Sequence, residues 1–194
     1  MKCRILMGSP RKQGNTIALT EVVMKELKQR GMECGLTWLY DKEIRGCKAC
    51  RGCQKDWSQP GCVQKDDMEA IFQEVLESEL LILATPIYSW YCTPPVKAAL
   101  DRMVYAMNKY YGDETGPALW AGKKLALVTT CGYAPEKGAD LWEEGVKRYC
   151  KHSQMDYLGM LVERHKNYKA AFMDEKKAAR AVEFAGKLVK ELEK

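Results

Sequence analysis

The sequence predicts an α/β fold, a five-stranded parallel sheet doubly wound by helices on both faces. Three observations lead there. Short apolar segments alternate regularly with stretches of helical periodicity. One such segment, Leu80 to Ala84, is apolar at every position, as a strand covered on both faces requires. Five strands separated by helices also supply the long crossovers that parallel neighbours need. A chain of 194 residues is sized for one core. Residues 1–194 therefore read as a single domain, with a Gly- and Cys-rich loop inserted at about 41–65.

Lys2 to Met7 is the first strand, stopped by Gly8-Ser9-Pro10. From Asn15 to Arg30, Ile17, Leu19, Val22, Val23 and Leu27 recur at helical spacing and Gly31 ends the run. Cys34 to Tyr40 alternates weakly and reads as the second strand. After the cysteine loop, Asp66-Asp67 opens a helix, with acids where they favour the positive end of the dipole; Ile71, Phe72, Val75 and Leu76 form its buried stripe. Leu80 to Ala84 is the third strand. Thr93 is placed to cap the next helix, with Pro94 and Pro95 in a first turn that needs no N–H from them, and the helix runs to about Asn108. Lys123 to Thr130 is a strand, Asp140 to about Ser153 a helix, Gln154 to Val162 the fifth strand, and Asp174 to Glu193 a closing helix.

Composition narrows the function. The longest purely apolar run is five residues, far below the roughly 20 of a membrane-spanning helix, so no membrane partner is expected. The start has no long apolar stretch of the kind a secretory signal carries, and a cytoplasmic location is expected. The net charge is +5, with the basic excess in the first third. The basic residues are scattered without a recognition motif, which favours a small anionic ligand over nucleic acid. Nine cysteines in a chain of this kind point to metal or redox chemistry.

A doubly wound sheet binds ligands at the carboxyl ends of its strands. The loop after the first strand, Gly8 to Thr16, has neither the G-x-x-x-x-G-K-[S/T] of a nucleotide P-loop nor the G-x-G-x-x-G of a dinucleotide fold. It does offer Ser9, Arg11, Asn15 and Thr16 beside the free N–H groups of a helix start, which suit a phosphate monoester; the alternative is an ordinary capped turn. No cysteine has an Arg six positions on, which excludes tyrosine phosphatase chemistry. The loop after the third strand puts Tyr88, Trp90 and Tyr91 at a strand end, where exposed aromatics call for a flat partner or a packed corner. Thr129 to Tyr133 ends the fourth strand, with Gly132 allowing close backbone approach. The two histidines, His152 and His165, have no partner at motif spacing and read as surface or satisfied residues.

Together these pieces resemble the flavodoxin-like NADPH-dependent FMN reductases and, within them, the iron–sulfur flavoproteins. The matching segments are Gly8-Ser9-Pro10-Arg11 with Gly14-Asn15-Thr16; Pro86-Ile87-Tyr88-Ser89-Trp90 with Pro95, Lys97 and Asp101-Arg102; and Cys47, Cys50, Cys53 and Cys62 with Val63 and Asp66-Asp67-Met68. The resemblance implies strand order 2-1-3-4-5 and bound FMN. It places the phosphate on Ser9, Arg11, Gly14, Asn15 and Thr16, the ring along Pro86, Ile87, Tyr88, Ser89 and Trp90, and Thr130, Cys131 and Gly132 on the other side. Asp101-Arg102 reads as a structural pair. NAD(P)H is the implied co-substrate and the electron acceptor is unidentified.

C-x2-C-x2-C with a further Cys is similar to a compact [4Fe–4S] site on Cys47, Cys50, Cys53 and Cys62, in a basic setting of Arg45, Lys48, Arg51 and Lys55. Zinc and free thiols are the alternatives. Two functions follow: an NAD(P)H-dependent flavin oxidoreductase, or an electron carrier exchanging single electrons with a ferredoxin-like partner. A flavin-binding fold without turnover is a third. The aromatic loops and Tyr105, Tyr110 and Tyr111 lead us to expect a homo-oligomer.

Overall fold

The structure is a computed structural model describing residues 1–167 and 169–194. Five strands, β1 (Lys2–Met7), β2 (Glu33–Trp38), β3 (Leu80–Pro86), β4 (Lys124–Cys131) and β5 (Asp156–Arg164), form one sheet in the order β2-β1-β3-β4-β5. Every pairing is parallel. The helices are α1 (Asn15–Gln29), α2 (Met68–Leu76), α3 (Pro94–Met107), a four-residue α4 (Pro135–Gly138), α5 (Asp140–His152) and α6 (Glu175–Leu192). Among the described residues no helix is long and apolar enough to cross a membrane.

The two-residue period of the strands divides the core. Ile5, Met7, Leu80, Ile82, Ala84, Ala126 and Val128 face α1 and α6. Leu6, Leu81, Leu83, Leu125 and Leu127 face α2, α3 and α5. Leu80 to Ala84 is completely buried, so each of its four large side chains contributes roughly 1.5–3 kcal/mol of burial.

The five strands and the five longer helices match the sequence reading in type and order, with several shifts, while the short α4 was not anticipated. β2 stops at Trp38 because Leu39–Asp41 turns as a 3-10 segment that buries Leu39. β5 starts two residues late, since Ser153 is buried on the amide of Asn108 and Gln154 turns through a left-handed backbone at φ 56°. Thr93 sits at the start of α3 without a side-chain cap. Its hydroxyl instead donates to the Gly8 carbonyl at 2.7 Å, while the Gly8 N–H bonds Ala84 at 2.7 Å. A side chain at Gly8 would stand 2.2 Å from Val96, so only glycine lets the loop after β1 sit this close to α3.

The acids 66 and 67 precede α2 and serve the cysteine loop. Asp66 takes both terminal nitrogens of Arg102, at 2.8 and 3.1 Å, and the N–H groups of Arg45 and Met68. Asp67 accepts from Glu43 N, and Arg102 also donates to the Arg45 carbonyl. Arg102 therefore pairs with Asp66 and not with Asp101, which binds Lys97 on the outer face of α3. The Arg102 and Asp66 side chains are 1% and 0% exposed. Tyr105, Tyr110 and Tyr111 pack on one another and on His152, half-buried, so they do not supply the open apolar surface anticipated there.

Burial alone would push the Asp66 carboxyl up, but Arg102 and the two backbone N–H groups more than offset this and hold it below its ordinary value of 3.8. A carboxylate depressed in the fold adds stability that is complete above its unfolded value and is lost as pH falls through the folded one. We therefore expect stability to decline as pH drops below about 4. Asp66→Asn, which strands a buried guanidinium, should cost about 3–5 kcal/mol in urea unfolding at neutral pH and flatten that acid slope. A loss under about 1 kcal/mol would mean the pair does not anchor the loop.

Candidate functional site

The loops that follow β1, β3 and β4 meet at the carboxyl edge of the sheet, and the end of β5 joins them. Gly14 precedes α1 in extended conformation without a side-chain cap, and the first turn of α1 carries no acid. The amides of that turn therefore keep their capacity for an anion. Arg11 is exposed, and among the described residues no carboxylate pairs with it. Lys12 differs: it pairs with Asp41 and lies over the Trp38 ring, away from the cleft.

Two adjoining cavities share Ile87, Cys131 and Gly132. The smaller, about 120 Å³, is lined also by Arg11, Asn15, Pro86, Tyr88, Thr130 and His165. The larger, about 370 Å³, adds Ser89, Trp90 and Tyr133. Trp90 and Tyr133 stack at 5.9 Å with their planes 11° apart, and both are exposed, as is Tyr88. Ser89 and Trp90 have φ of 49° and 65° in a turn closed by paired Tyr88–Tyr91 hydrogen bonds. A bulky residue in the left-handed region is strained, and such strain concentrates at ligand-binding loops. Ile87 N bonds the Thr130 carbonyl at 2.8 Å, which fixes the aromatic turn to the end of β4.

Of the residues singled out in the sequence, Arg11, Asn15, Pro86 to Trp90 and Thr130 to Gly132 line the cavities. Ser9, Gly14 and Thr16 do not, and they shape the loop instead. Ser9 is buried and accepts from Arg11 N at 3.2 Å; Gly14 packs on the Arg11 stem; and the Thr16 hydroxyl meets that of Thr130 at 2.8 Å. His165 is a satisfied residue, as the sequence reading has it, and it also lines the smaller cavity. It follows β5 at the same sheet edge and its Nδ1 accepts from the Asn15 amide at 2.8 Å, which puts the ring proton on Nε2, toward the Ala170 carbonyl. Its place at a strand's carboxyl end was the available signal. Burial pushes the Cys131 thiol up, and it donates to the Tyr133 carbonyl at 3.2 Å; burial pushes Cys92 up to about 12. Both stay protonated at neutral pH and neither is an activated nucleophile. A phosphate end of N–H groups and Arg11, joined to an aromatic cleft, fits FMN.

The cysteine loop is folded back on itself. Gln64 donates to the Gly46 carbonyl, and Gly52 lies under Val63, which brings Cys53 beside Cys62. Cys62 also lies close enough to Arg102 for the two to interact electrostatically. Ala49 and Arg51 adopt left-handed φ of 51° and 57°, and Ala49 N donates to Cys47 Sγ at 3.4 Å. Cys50 is exposed, and among the described residues no three Cys, His, Asp or Glu side chains converge on one point. In donor chemistry the loop fits a thiolate-held group, although its four sulfurs are not gathered. Lys109 was not singled out in the sequence. It is buried at the end of α3 and donates to the carbonyls of Cys53, Gln59 and Pro60.

Comparison with known proteins agrees with this geometry. An iron-sulfur flavoprotein of Archaeoglobus fulgidus is 36% identical over 104 residues, 54% of this chain and 46% of that protein. One of Methanosarcina thermophila is 32% identical over 124 residues, 63% of each chain. The chain thus spans about half to two thirds of the length of these relatives. Among solved structures, an NAD(P)H:quinone oxidoreductase from Methanothermobacter marburgensis superposes with a TM-score of 0.73 at 17% identity, covering 97% of this chain and 98% of that one. A flavodoxin from the domain Archaea superposes at 0.61 and 12% identity over the full length of both chains, and the two superpositions establish a flavodoxin-like fold. Residues 1–141 match the family described as NADPH-dependent FMN reductase, and the chain belongs to that family.

Proposed function

We infer that this protein binds FMN non-covalently, accepts reducing equivalents from NAD(P)H and delivers them to an acceptor that remains to be identified. The observation that carries the reading is the junction of an uncapped helix start and Arg11 with an aromatic cleft at one sheet edge. When bound, FMN supplies the redox chemistry. The chain's own residues bind and orient. The α1 amides and Arg11 hold the phosphate, His165 fixes the amide of Asn15, and Thr130 holds both Thr16 and Ile87 in place. Tyr88, Trp90 and Tyr133 limit water at the ring. The same exposed rim, with Tyr40, is where a second copy of the chain would sit in a homo-oligomer. In this reading the protein is cytoplasmic and engages neither nucleic acid nor membrane.

Arg11→Ala should weaken FMN binding about 10- to 100-fold, the worth of a charge-assisted hydrogen bond, while riboflavin binding changes little. Equal losses for both flavins by fluorescence titration would remove the phosphate from Arg11.

A second reading adds a [4Fe–4S] cluster on Cys47, Cys50, Cys53 and Cys62, making the protein an iron–sulfur flavoprotein that passes electrons to a ferredoxin-like partner. The folded-back cysteine loop and the relatives named iron-sulfur flavoproteins favour it. Protein purified without oxygen should contain about four iron and four sulfide per chain, and Cys50→Ser should remove them while FMN stays bound. Flavin without iron in such a preparation would leave the NAD(P)H-dependent oxidoreductase alone.

A further inference from the structure

We propose that Cys3 and Cys34 form a peroxide-responsive dithiol pair, in which a hydroperoxide oxidises Cys34 and Cys3 then closes a reversible disulfide that joins β1 to β2. The pair stands at the amino ends of these strands, opposite the edge that carries the flavin cleft.

The pairing of β1 with β2 sets Cys3 directly against Cys34 across the parallel ladder. Residues so paired share a face, and both side chains pack into the core layer under α1 and α6. Adjacent strands run about 4.8 Å apart, inside the roughly 4.4–6.8 Å between the Cα atoms of a disulfide. The Cβ atoms stand at about that same spacing, slightly beyond the roughly 3.5–4.5 Å of a relaxed bridge, so the bond closes under strain and reduces readily. Such a link is reversible where a relaxed one would be permanent.

The two sulfurs are not equivalent. Cys3 is 2% exposed, whereas Cys34 lies half-buried on the edge strand β2, within reach of a small oxidant. Its Sγ makes a loose 3.8 Å contact to the Met32 carbonyl, which a turn about χ1 releases. Interaction with the Cys3 thiol lowers Cys34 from its ordinary 9.0, and Lys28 in the last turn of α1 adds to this against the effect of burial. The same interaction, together with burial, pushes Cys3 well up. Burial also pushes Cys53, Cys92, Cys131 and Cys150 up. Cys34 thus has the thiolate character and access that peroxides select, and Cys3 is the resolving thiol.

The Cys34 thiolate attacks one peroxide oxygen. The O–O bond breaks, Cys34 becomes a sulfenic acid, and the departing oxygen takes a proton to leave as water or an alcohol. The Cys3 sulfur then attacks the Cys34 sulfur: the S–O bond breaks, the S–S bond forms, and hydroxide leaves as water with the Cys3 proton. Two thiols give up two electrons in all, and the peroxide gains them.

The test treats the full chain with hydrogen peroxide, alkylates the remaining thiols after unfolding and cuts with a Glu-specific protease. That cleavage frees residues 1–21 and 34–43, each with a single cysteine. Mass spectrometry should find the two segments joined, lighter than their sum by two hydrogens, and separated again by dithiothreitol. Cys34 should lose its free thiol at least about tenfold faster than Cys92 or Cys150. In Cys3→Ser a sulfenic or sulfinic acid should collect on Cys34, and in Cys34→Ser the Cys3 thiol should stay open to alkylation. The wild-type map alone decides the outcome should either variant fail to fold. Oxidation of Cys34 without a link to Cys3, a link from Cys34 to another segment, or loss of the Cys34 thiol no faster than that of Cys92 and Cys150 would each overturn the inference.

Discussion

Because Leu80–Ala84 is closed to water on both faces, the backbone of β3 has to be paired on both sides, and it is, with β1 and β4. All three run parallel, so every connection between them must cross over a face of the sheet, and helices cover both faces. The consequence for function is geometric. The segments that leave β1, β3 and β4 all emerge at one edge, positioned by the fully buried centre of the sheet. Gly8 shows how tight this is: its N–H binds the end of β3, its carbonyl takes the Thr93 hydroxyl, and no side chain fits at its Cα.

The cysteine loop depends on a second constraint, the cost of burying charge. Its two ends are joined by Asp66 and Arg102, a pair that stays ionised because four hydrogen bonds surround the carboxylate. Its middle is drawn onto the end of α3 by Lys109 and by Gln54, whose amide binds the Tyr105 and Asn108 carbonyls. The loop is thus seated on polar contacts. Such a seat holds it in place while leaving Cys47, Cys50 and Cys62 at or near the surface.

Local pattern made the fold legible. The unbroken apolar run of β3, the helical stripe of α1 and the prolines at the start of α3 are signals carried by neighbours in the chain, and they marked the five strands and the five longer helices within a few residues. The same holds for the loop after β1, where donors cluster at a helix start. Contacts across long separations were not legible. Thr93 looks like a cap but reaches Gly8, and Asp66 looks like a helix-opening acid but serves Arg102, 36 residues away. His165 lines the cleft because β5 ends at the same sheet edge, a placement that no neighbour in the chain signals. Lys109 lies among ordinary polar residues, and nothing near it in sequence distinguishes it from a solvated lysine.

The central claim is that the aromatic cleft and the α1 start together hold a flavin that NAD(P)H can reduce. The most direct measurement is the visible spectrum of protein loaded with FMN without oxygen, recorded before and after one equivalent of NADPH or NADH. The account predicts flavin bands that travel with the protein through gel filtration and bleach when at least one nicotinamide is added. Flavin that separates from the protein, or bound flavin whose bands neither nicotinamide changes, would contradict it.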